Sequence, residues 1–295
     1  MDQIENIKKE IWAMNNRNAT KKKIENLANP NMLINGDFSI NQRGNSGSSS
    51  TIGYTLADHW FLDFGTYGFK NRGCVLNAST KIKQAVENFA YNGEYLTLSI
   101  KVDDNIISGS TLISYTKGTA KNINLFTKNN IVGDVYYDGN NVWVVLENTG
   151  SAVEISYIKL ELGQYATPYI YRTYQQELDD CQRYFVRIRP SVGYAAFTQG
   201  AVCYMDNNQH HCHCCLPKPK MRISPTLNTS GKFHFLTAAN YITVSSIGLA
   251  GATDFNVVLD VVLPTGAKAT LGHAGTLRAG DDSNAYIDLD AEIYM

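Results

Sequence analysis

The sequence predicts a mainly β protein with two β domains and two short helices. Tyrosine and glycine are abundant, with 18 and 23 residues in a chain of 295, and they favour strands joined by turns. Runs of β-branched and aromatic residues recur along the chain, separated at short intervals by turn signals. A chain of this length suits two modest domains of roughly 100–150 residues. We therefore expect four segments: residues 1–29, 30–172, 173–188 and 189–295.

The first segment predicts a short coiled-coil helix. Ile4, Ile7, Ile11 and Met14 follow one another at spacings of three, four and three residues, which is the a/d stripe of a heptad repeat. Isoleucine at both a and d favours three or four strands over two, so we expect a homotrimer. The stripe covers only about two heptads, and an amphipathic helix lying on its own domain is the alternative interpretation.

The second segment, residues 30–172, predicts the first β domain. Pro30 ends the helical pattern because the residue before a proline is disfavoured in the α region. The runs that follow, rich in β-branched and aromatic residues, are typical of a β-sandwich or a jelly roll. The clearest of these runs are residues 95–102, 142–146 and 153–160.

The last two segments predict a connecting helix and a second β domain. Leu178, Cys181 and Phe185 lie three and four residues apart, which is helical spacing, so we expect a helix over residues 173–188. Strand-like runs then resume and continue to the end of the chain. Residues 189–295, about 105 residues, suit a small C-terminal β-sandwich, which we call the head.

The charge and hydropathy of the chain argue against several classes of partner. The net charge is −1, the pI is about 6.6 and the basic residues are scattered, so nucleic acid is not an expected partner. No stretch approaches the ~20 apolar residues that span a bilayer, so membrane insertion is not expected. The first residues lack the apolar centre of a secretion signal. We therefore expect the chain to be made in the cytoplasm, with its six cysteines as free thiols.

Residues 209–215 read Gln-His-His-Cys-His-Cys-Cys, and imidazoles and thiolates at this density favour first-row metals. The spacing does not match a zinc finger, and alternate strand residues point to opposite faces, so one strand supplies few ligands. In a homotrimer, His211 and His213 of three chains would offer six nitrogens around the threefold axis, enough for an octahedral metal ion. Alternatively, Cys212, Cys214 and Leu216 are buried while the histidines face solvent or a neighbouring chain. No other cofactor is expected.

The sequence contains no motif that predicts catalysis. Gly-x-Ser-x-Gly, His-Glu-x-x-His and glycine-rich phosphate loops are absent. Paired aspartates at 103–104, 179–180 and 281–282 are adjacent in sequence and fit turns or a solvated helix face better than an acid/base pair. We therefore expect no catalytic residues and no enzymatic activity.

Three segments of the chain carry a resemblance. They are NPNMLINGDFSINQRG followed by YTLADHWF, then YIKLELGQYATPYIYRTYQQELDDCQRYF, and finally AYIDLDAEIYM. Together they resemble tail fibre proteins of phages and prophages, including phage-tail-like particles. The resemblance implies that residues 30–172 form a jelly roll like that of carbohydrate-binding modules. It also implies a trimeric receptor-binding protein with the head at the distal tip of the tail.

The resemblance also implies partners and a location. The N-terminal segment would attach to a tail or baseplate protein, and the head would bind a bacterial surface glycan or surface-layer protein. Such a chain would be made in the bacterial cytoplasm and belong to a virion or a phage-tail-like particle. The alternatives are a structural baseplate or collar component without receptor contact and, less favoured, a glycan-degrading tail spike, since no long right-handed repeat is present.

Receptor contact would use aromatic rings and short polar side chains in loops. The candidates are Tyr136 and Tyr137 in the first β domain and Tyr204, Asp206, Asn207 and Asn208 in the head. Two further residues are expected to have structural roles. Gly36 is expected to take a positive φ in a turn, and Trp60, flanked by apolar residues, is expected in the core.

Overall fold

The computed structural model describes residues 29–44, 47–70, 72–87, 89–198, 201–206, 209–238, 240–267, 272 and 274–294. For residues 203, 205, 206 and 209 it describes the backbone alone. Asn207 and Asn208 lie outside the described residues, as do the predicted coiled-coil positions Ile4, Ile7, Ile11 and Met14. The N-terminal coiled coil and the homotrimer therefore stay predictions.

The described chain is mainly β, with 22 strands and one helix, which confirms the predicted class. The strands pair antiparallel and form four sheets. The chain divides into two compact units, Met1–Tyr174 and Gln175–Met295. Among the described residues, no helix has the length and hydropathy needed to cross a membrane.

The first unit contains twelve described strands. They are β1 (Ser48–Ser49), β2 (Gly53–Tyr54), β3 (Phe61–Phe64), β4 (Tyr67–Phe69), β5 (Cys74–Leu76), β6 (Thr80–Val86), β7 (Tyr95–Val102), β8 (Asn105–Leu112), β9 (Lys121–Lys128), β10 (Ile131–Tyr137), β11 (Val142–Asn148) and β12 (Val153–Leu162). They form two six-stranded sheets in the orders β1-β4-β5-β12-β7-β8 and β2-β3-β6-β11-β10-β9. One core receives side chains from both sheets, which is consistent with a β-sandwich. Trp60 is fully buried in this core, as predicted.

The segment that precedes β1 is fixed along β12 by side-chain and backbone hydrogen bonds. Asn31 donates from Nδ2 to the Ile158 carbonyl at 3.0 Å, and its Oδ1 accepts the Leu160 amide at 3.0 Å. The Met32 amide donates to the Leu160 carbonyl at 2.9 Å. Two of the segments that carry the resemblance therefore meet at β12, where an asparagine stands in for a missing strand partner.

Gly36 is needed for close backbone approach, and the expectation of a positive φ at this position is wrong. The left-handed conformation belongs to Asn35, with φ of 53°. A Cβ added to Gly36 would lie 2.5 Å from the Ile158 carbonyl oxygen, while the Ile158 amide donates to the Gly36 carbonyl at 2.7 Å. Trp60 donates from Nε1 to the Asn35 carbonyl at 2.9 Å, so the buried indole also holds this turn.

The second unit contains one helix, α1 (Tyr174–Gln182), whose first residue closes the first unit, and ten described strands. They are β13 (Phe185–Ile188), β14 (Ala201–Asp206), β15 (Gln209–Pro217), β16 (Thr226–Ser230), β17 (Phe233–Leu236), β18 (Tyr241–Thr243), β19 (Ser246–Ala252), β20 (Asn256–Val262), β21 (Ala274–Ala279) and β22 (Tyr286–Asp290). They form a three-stranded sheet, β13-β22-β16, and a seven-stranded sheet, β18-β17-β21-β14-β15-β20-β19. Both sheets contribute to one core, with Leu259 and Ile287 among its members.

The helix predicted over residues 173–188 is shorter than expected. It ends at Gln182, and Phe185 opens β13 instead of completing the helical stripe. The reason is that Phe185-Val186-Arg187-Ile188 pairs with β22 along its whole length, so tertiary pairing overrides the local helical spacing. Cys181 is buried as the pattern required.

The C-terminal segment of the resemblance forms β22, the central strand of the three-stranded sheet. Asp288 binds Arg187 of β13 in a bidentate ion pair, with both nitrogen–oxygen distances at 2.6 Å. The Arg187 guanidinium also lies 3.8 Å from the centre of the Tyr286 ring. This paired geometry fixes both strands, since bidentate charge-assisted hydrogen bonds are short and directional.

Candidate functional site

The two receptor candidates of the first unit do not lie in a loop. Tyr136 and Tyr137 end β10, which pairs with both β9 and β11 up to this point, so the loop placement is wrong. Tyr137 is 4% exposed, its hydroxyl donates to the Gly139 carbonyl at 2.6 Å, and its ring packs 4.5 Å from that of Tyr115. Tyr136 is half-buried. Tyr137 therefore serves the core and offers no free ring face.

Two of the head candidates, Tyr204 and Asp206, belong to β14. Tyr204 lies within β14, with 38% of its surface exposed, and Asp206 ends that strand with only its backbone described. Asn207 and Asn208 are outside the described residues. The Tyr204 backbone pairs with His211 of β15, so the candidate tyrosine and the histidine-rich run are neighbours.

The histidine-rich run forms β15, and its side chains alternate as the strand period requires. Cys212, Cys214 and Leu216 enter the core, as the second interpretation expects, while His213 and Cys215 are exposed and His211 is half-buried. None of the five cysteines with described side chains is in a disulfide bond, which agrees with the expected thiols; they are Cys74, Cys181, Cys212, Cys214 and Cys215.

Four side chains on the outer surface of β14, β15 and β20 form a polar cluster. We call Tyr204, His211, His213 and Asp260 the His–Asp–Tyr face. Nδ1 of His211 lies 3.0 Å from each Asp260 carboxylate oxygen, and Nε2 of His213 lies 3.1 Å from the Tyr204 hydroxyl. His213 and Asp260 are direct partners across the strands, with 3.9 Å between Nε2 and Oδ1.

The His–Asp–Tyr face presents hydrogen-bonding groups beside one aromatic ring, which suits contact with a polar ligand. Across the described part of the chain, no three histidine, cysteine or acidic side chains converge on a point that would hold a metal ion. A site built from His211 and His213 of three chains on a threefold axis stays a prediction.

A second cluster, none of whose residues is among the sequence-predicted candidates, lines a cavity of about 520 Å³ in the second unit. We call Tyr194, His234, Tyr241 and Arg278 the aromatic cup. Tyr194 and Tyr241 are 42% and 63% exposed, and their ring centres lie 6.5 Å apart at an angle of 69°. The His234 ring lies 6.5 Å from each of them.

Three members of the cup project from the outer surface of neighbouring strands. His234 of β17 faces Arg278 of β21 directly across the sheet, and Tyr241 begins β18, which pairs with β17. Alternation explains the arrangement, because the flanking Phe233, Phe235, Leu277 and Ala279 all turn inward to the core.

The fourth member, Tyr194, comes from the segment before β14. This segment is attached to β21 by backbone hydrogen bonds from Ala279 to the Ala195 carbonyl at 2.9 Å and from Phe197 to the Leu277 carbonyl at 2.8 Å. Arg278 donates from Nε to the Tyr194 carbonyl at 2.6 Å. Tyr194 itself has φ of 63°, a conformation that is uncommon for a residue other than glycine and that recurs at functional sites.

Sequence patterns predict only part of the geometry of the aromatic cup. The alternation Phe233-His234-Phe235 places His234 on the outer surface of its strand. The pairing of β17 with β21 and the return of Tyr194, which is 84 positions away from Arg278, do not follow from any local pattern.

A smaller cleft of about 270 Å³ lies between the segment 218–224 and residues 252–254. Its cations already have partners: Lys220 binds the Asp254 carboxylate at 2.8 Å, and Lys218 donates to the Asp254 carbonyl at 3.0 Å. Burial lowers the pKa of Lys218, and the hydrogen bond from Lys220 lowers the pKa of Asp254. Arg222 donates to the Ala291 and Glu292 carbonyls. The cations of this cleft are therefore already bound to acceptors of the protein itself.

In comparisons with known proteins, no family model matches the chain and no curated protein is significantly similar to it. A functional assignment therefore depends on the sequence segments and on the geometry described above. The aromatic cup is the concave surface that combines exposed rings with a cation, and such surfaces are typical of sites for small ligands.

Proposed function

We propose that this chain is the receptor-binding subunit of a phage tail fibre, or of the fibre of a phage-tail-like particle. It attaches the particle to a glycan or a surface-layer protein of a bacterium. The observation that carries the proposal is the aromatic cup, where exposed tyrosine rings and an arginine line a concave surface. The resemblance of the three sequence segments to tail fibre proteins supports the same assignment.

The proposal gives each part of the chain a role. Residues 1–29 form a trimeric coiled coil that attaches to a tail or baseplate protein. The first unit is a jelly roll like that of carbohydrate-binding modules, and the second unit is the head that contacts the host. Three copies of a weak binding surface on one particle raise the effective affinity by roughly 10²–10⁴.

The function proposed here is adhesion, and it needs no cofactor and no covalent chemistry. The chain is made in the bacterial cytoplasm and belongs to the distal tail of the particle. A glycan or protein receptor is recognised by ring stacking and hydrogen bonds, for which the cup and the His–Asp–Tyr face provide the groups. Neither nucleic acid nor membrane insertion is part of this function.

Adsorption of the labelled full chain to a panel of bacterial strains tests the proposal. We expect saturable binding to some strains and none to others, with competition by surface glycan or surface-layer protein extracted from a binding strain. A lack of strain-dependent adsorption would sink the receptor hypothesis and favour a structural baseplate or collar component. New reducing ends after incubation with the glycan would instead indicate a degrading enzyme.

A further inference from the structure

The guanidinium of Arg278 has hydrogen-bonding capacity that the described fold does not use. Its Nε donates to the Tyr194 carbonyl, and in the described part of the chain the two terminal nitrogens have no acceptor and no carboxylate within ion-pair distance. Arg187 of the same unit differs, because Asp288 binds its guanidinium in a bidentate pair. A planar guanidinium with two terminal nitrogens available suits a carboxylate or a phosphate.

The two tyrosine rings hold this guanidinium in place. The Cζ atom of Arg278 lies 5.9 Å from the ring centres of both Tyr194 and Tyr241, within the range of cation–π attraction. Its Nε is anchored on a backbone carbonyl at the same time. The cation is therefore positioned before any ligand arrives, which lowers the entropic cost of binding.

The dimensions of the cup fit one or two sugar rings. Its volume of about 520 Å³ lies in the middle of the range of roughly 300–1,000 Å³ that small-molecule sites occupy. Exposed tyrosine faces offer apolar area with a polar edge, which suits the C–H face of a pyranose and its hydroxyl groups. His234 forms a third wall of the cup. Its buried Nδ1 has no hydrogen-bond partner in the described chain, so no hydrogen bond at this nitrogen explains why the position holds a histidine.

The walls of the cup are also fixed by the backbone. The segment with Tyr194 runs along β21 through backbone hydrogen bonds at Ala195 and Phe197, and an isolated bridge joins Ala196 to Arg278. A rigid scaffold that holds an uncommon left-handed tyrosine is the arrangement expected of a site formed before its ligand binds.

We infer that the aromatic cup binds a pyranose carrying an anionic group, either a carboxylate or a phosphate. Arg278 contacts the anion, while Tyr241 and Tyr194 pack against the sugar ring. This inference rests on the proposed function and deepens it, because it names the chemical class of the receptor.

Calorimetric titration of the full chain with three probes tests the inference. The first is an oligosaccharide containing glucuronic acid, the second is the same oligosaccharide with its carboxyl groups reduced, and the third is a glucosylated glycerol-phosphate oligomer. We expect at least one anionic probe to bind about tenfold or more tightly than the reduced one, since hydrogen bonds to charged groups are stronger than neutral ones. The first and third probes separate a carboxylate source from a phosphate source.

Variants assign the binding to the cup. Arg278→Gln is expected to weaken the anionic probe roughly 10- to 100-fold, and to leave the reduced probe unchanged. Tyr241→Ala is expected to weaken every probe about fivefold or more, because it removes a ring face without touching the charge. Lys117→Gln, an exposed turn residue of the first unit that changes the net charge equally, is the matched control and should bind as the wild type.

Several results would overturn the inference. Equal binding of the reduced and anionic probes, or no binding of any probe, would show that the cup does not recognise an anionic sugar. Unchanged binding by Arg278→Gln and Tyr241→Ala, with thermal transitions like the wild type's, places the site elsewhere. A change of oligomeric mass in Tyr241→Ala, measured by light scattering, would make the cup an interface between copies of the chain.

The two levels of the proposal fail separately. If the labelled chain adsorbs to bacteria selectively and Arg278→Gln adsorbs equally well, the cup assignment fails and the receptor function stands. If the anionic probe binds but no strain adsorbs the chain, the receptor function fails and the cup keeps its ligand class.

Discussion

Asp138 closes the hairpin between β10 and β11 and ties it to a core side chain. Its carboxylate accepts hydrogen bonds from the Asn140 and Asn141 amides, each at 2.7 Å, and from Nε1 of Trp143 at 2.8 Å. Burial raises the pKa of this carboxyl, but the hydrogen bonds outweigh burial, so its pKa is lower than that of an ordinary aspartate. The ionised form is therefore the one that stabilises the turn.

Asp138→Asn should lower the free energy of unfolding at pH 7 by about 1–3 kcal/mol, because the acceptor of the two backbone amides loses its charge and Nε1 of Trp143 loses its acceptor to an NH2 group. The wild-type carboxyl has a lower pKa folded than unfolded, so its contribution is complete above the unfolded value of about 3.9 and is lost as pH falls through the folded value. Denaturant titrations at pH 7 and pH 3 should show a smaller acid-induced loss in the variant.

Asp103→Asn is the matched control, since Asp103 is an exposed turn residue with φ of 44°, which asparagine tolerates. It should change stability by less than about 0.5 kcal/mol. Parallel stability–pH curves for Asp138→Asn and the wild type would contradict the role given to the carboxylate.

Single residues also show what the sequence can and cannot predict about the site. The outward histidines of β15 follow from alternation alone, and the buried Trp60 follows from its apolar neighbours. The sequence predicts Tyr137 in a loop, whereas it ends β10, because aromatic residues beside a turn look alike whether the strand ends before or after them. Tyr194 carries no local signal, since its role depends on the strand that it lies beside.

Among the elements, β12 carries a buried charged pair on the face away from the core. Lys159 and Glu161 are 1% and 0% exposed in their side chains, and Nζ lies 3.0 Å from Oε2. Thr167 covers both: Lys159 donates to its carbonyl and hydroxyl oxygens, and Glu161 accepts its amide and its hydroxyl. The network fastens the segment after β12 to the sheet.

Lys159→Met should destabilise the first unit by about 3–5 kcal/mol, because it leaves the Glu161 carboxylate buried without its cation. The double variant Lys159→Met/Glu161→Leu should recover most of that loss, since no charge stays buried. Chemical denaturation followed by tryptophan fluorescence measures both. Lys81→Met is the control: its partner Glu147 is partly exposed, so it should cost less than about 1 kcal/mol. A double variant no more stable than Lys159→Met would contradict the account.

The sequence predicts the strands whose hydrophobic period is clear. It does not predict the order of the strands in the sheets. The strands β7, β11 and β12 match the runs read from the sequence. The sequence predicts the residues of β13 as the end of a helix, because four residues cannot distinguish the two periods when Phe185 satisfies both. Sheet order depends on contacts distant in sequence, as where β12 lies between β5 and β7, and periodicity contains no information about them.

At the scale of the whole molecule, two β units follow an N-terminal segment that is predicted to form a trimer. Each chain would then present one aromatic cup, so a trimer presents three identical weak sites to one cell surface. Linked sites bind with an effective concentration set by their spacing, so under the proposed function three shallow sites would together hold a particle on a bacterium. The net charge of −1 adds no long-range attraction, so under the proposed function specificity would come from local groups such as Arg278.

Competition between the purified full chain and intact particles for the same cells is the sharpest test of receptor binding by this chain. Cells of a susceptible strain are saturated with the chain, particles that carry it are added, and unadsorbed particles are counted. We predict that adsorption falls with the dose of wild-type chain and that Arg278→Gln competes much more weakly. Particles that adsorb at their full rate to cells saturated with the chain would contradict the account.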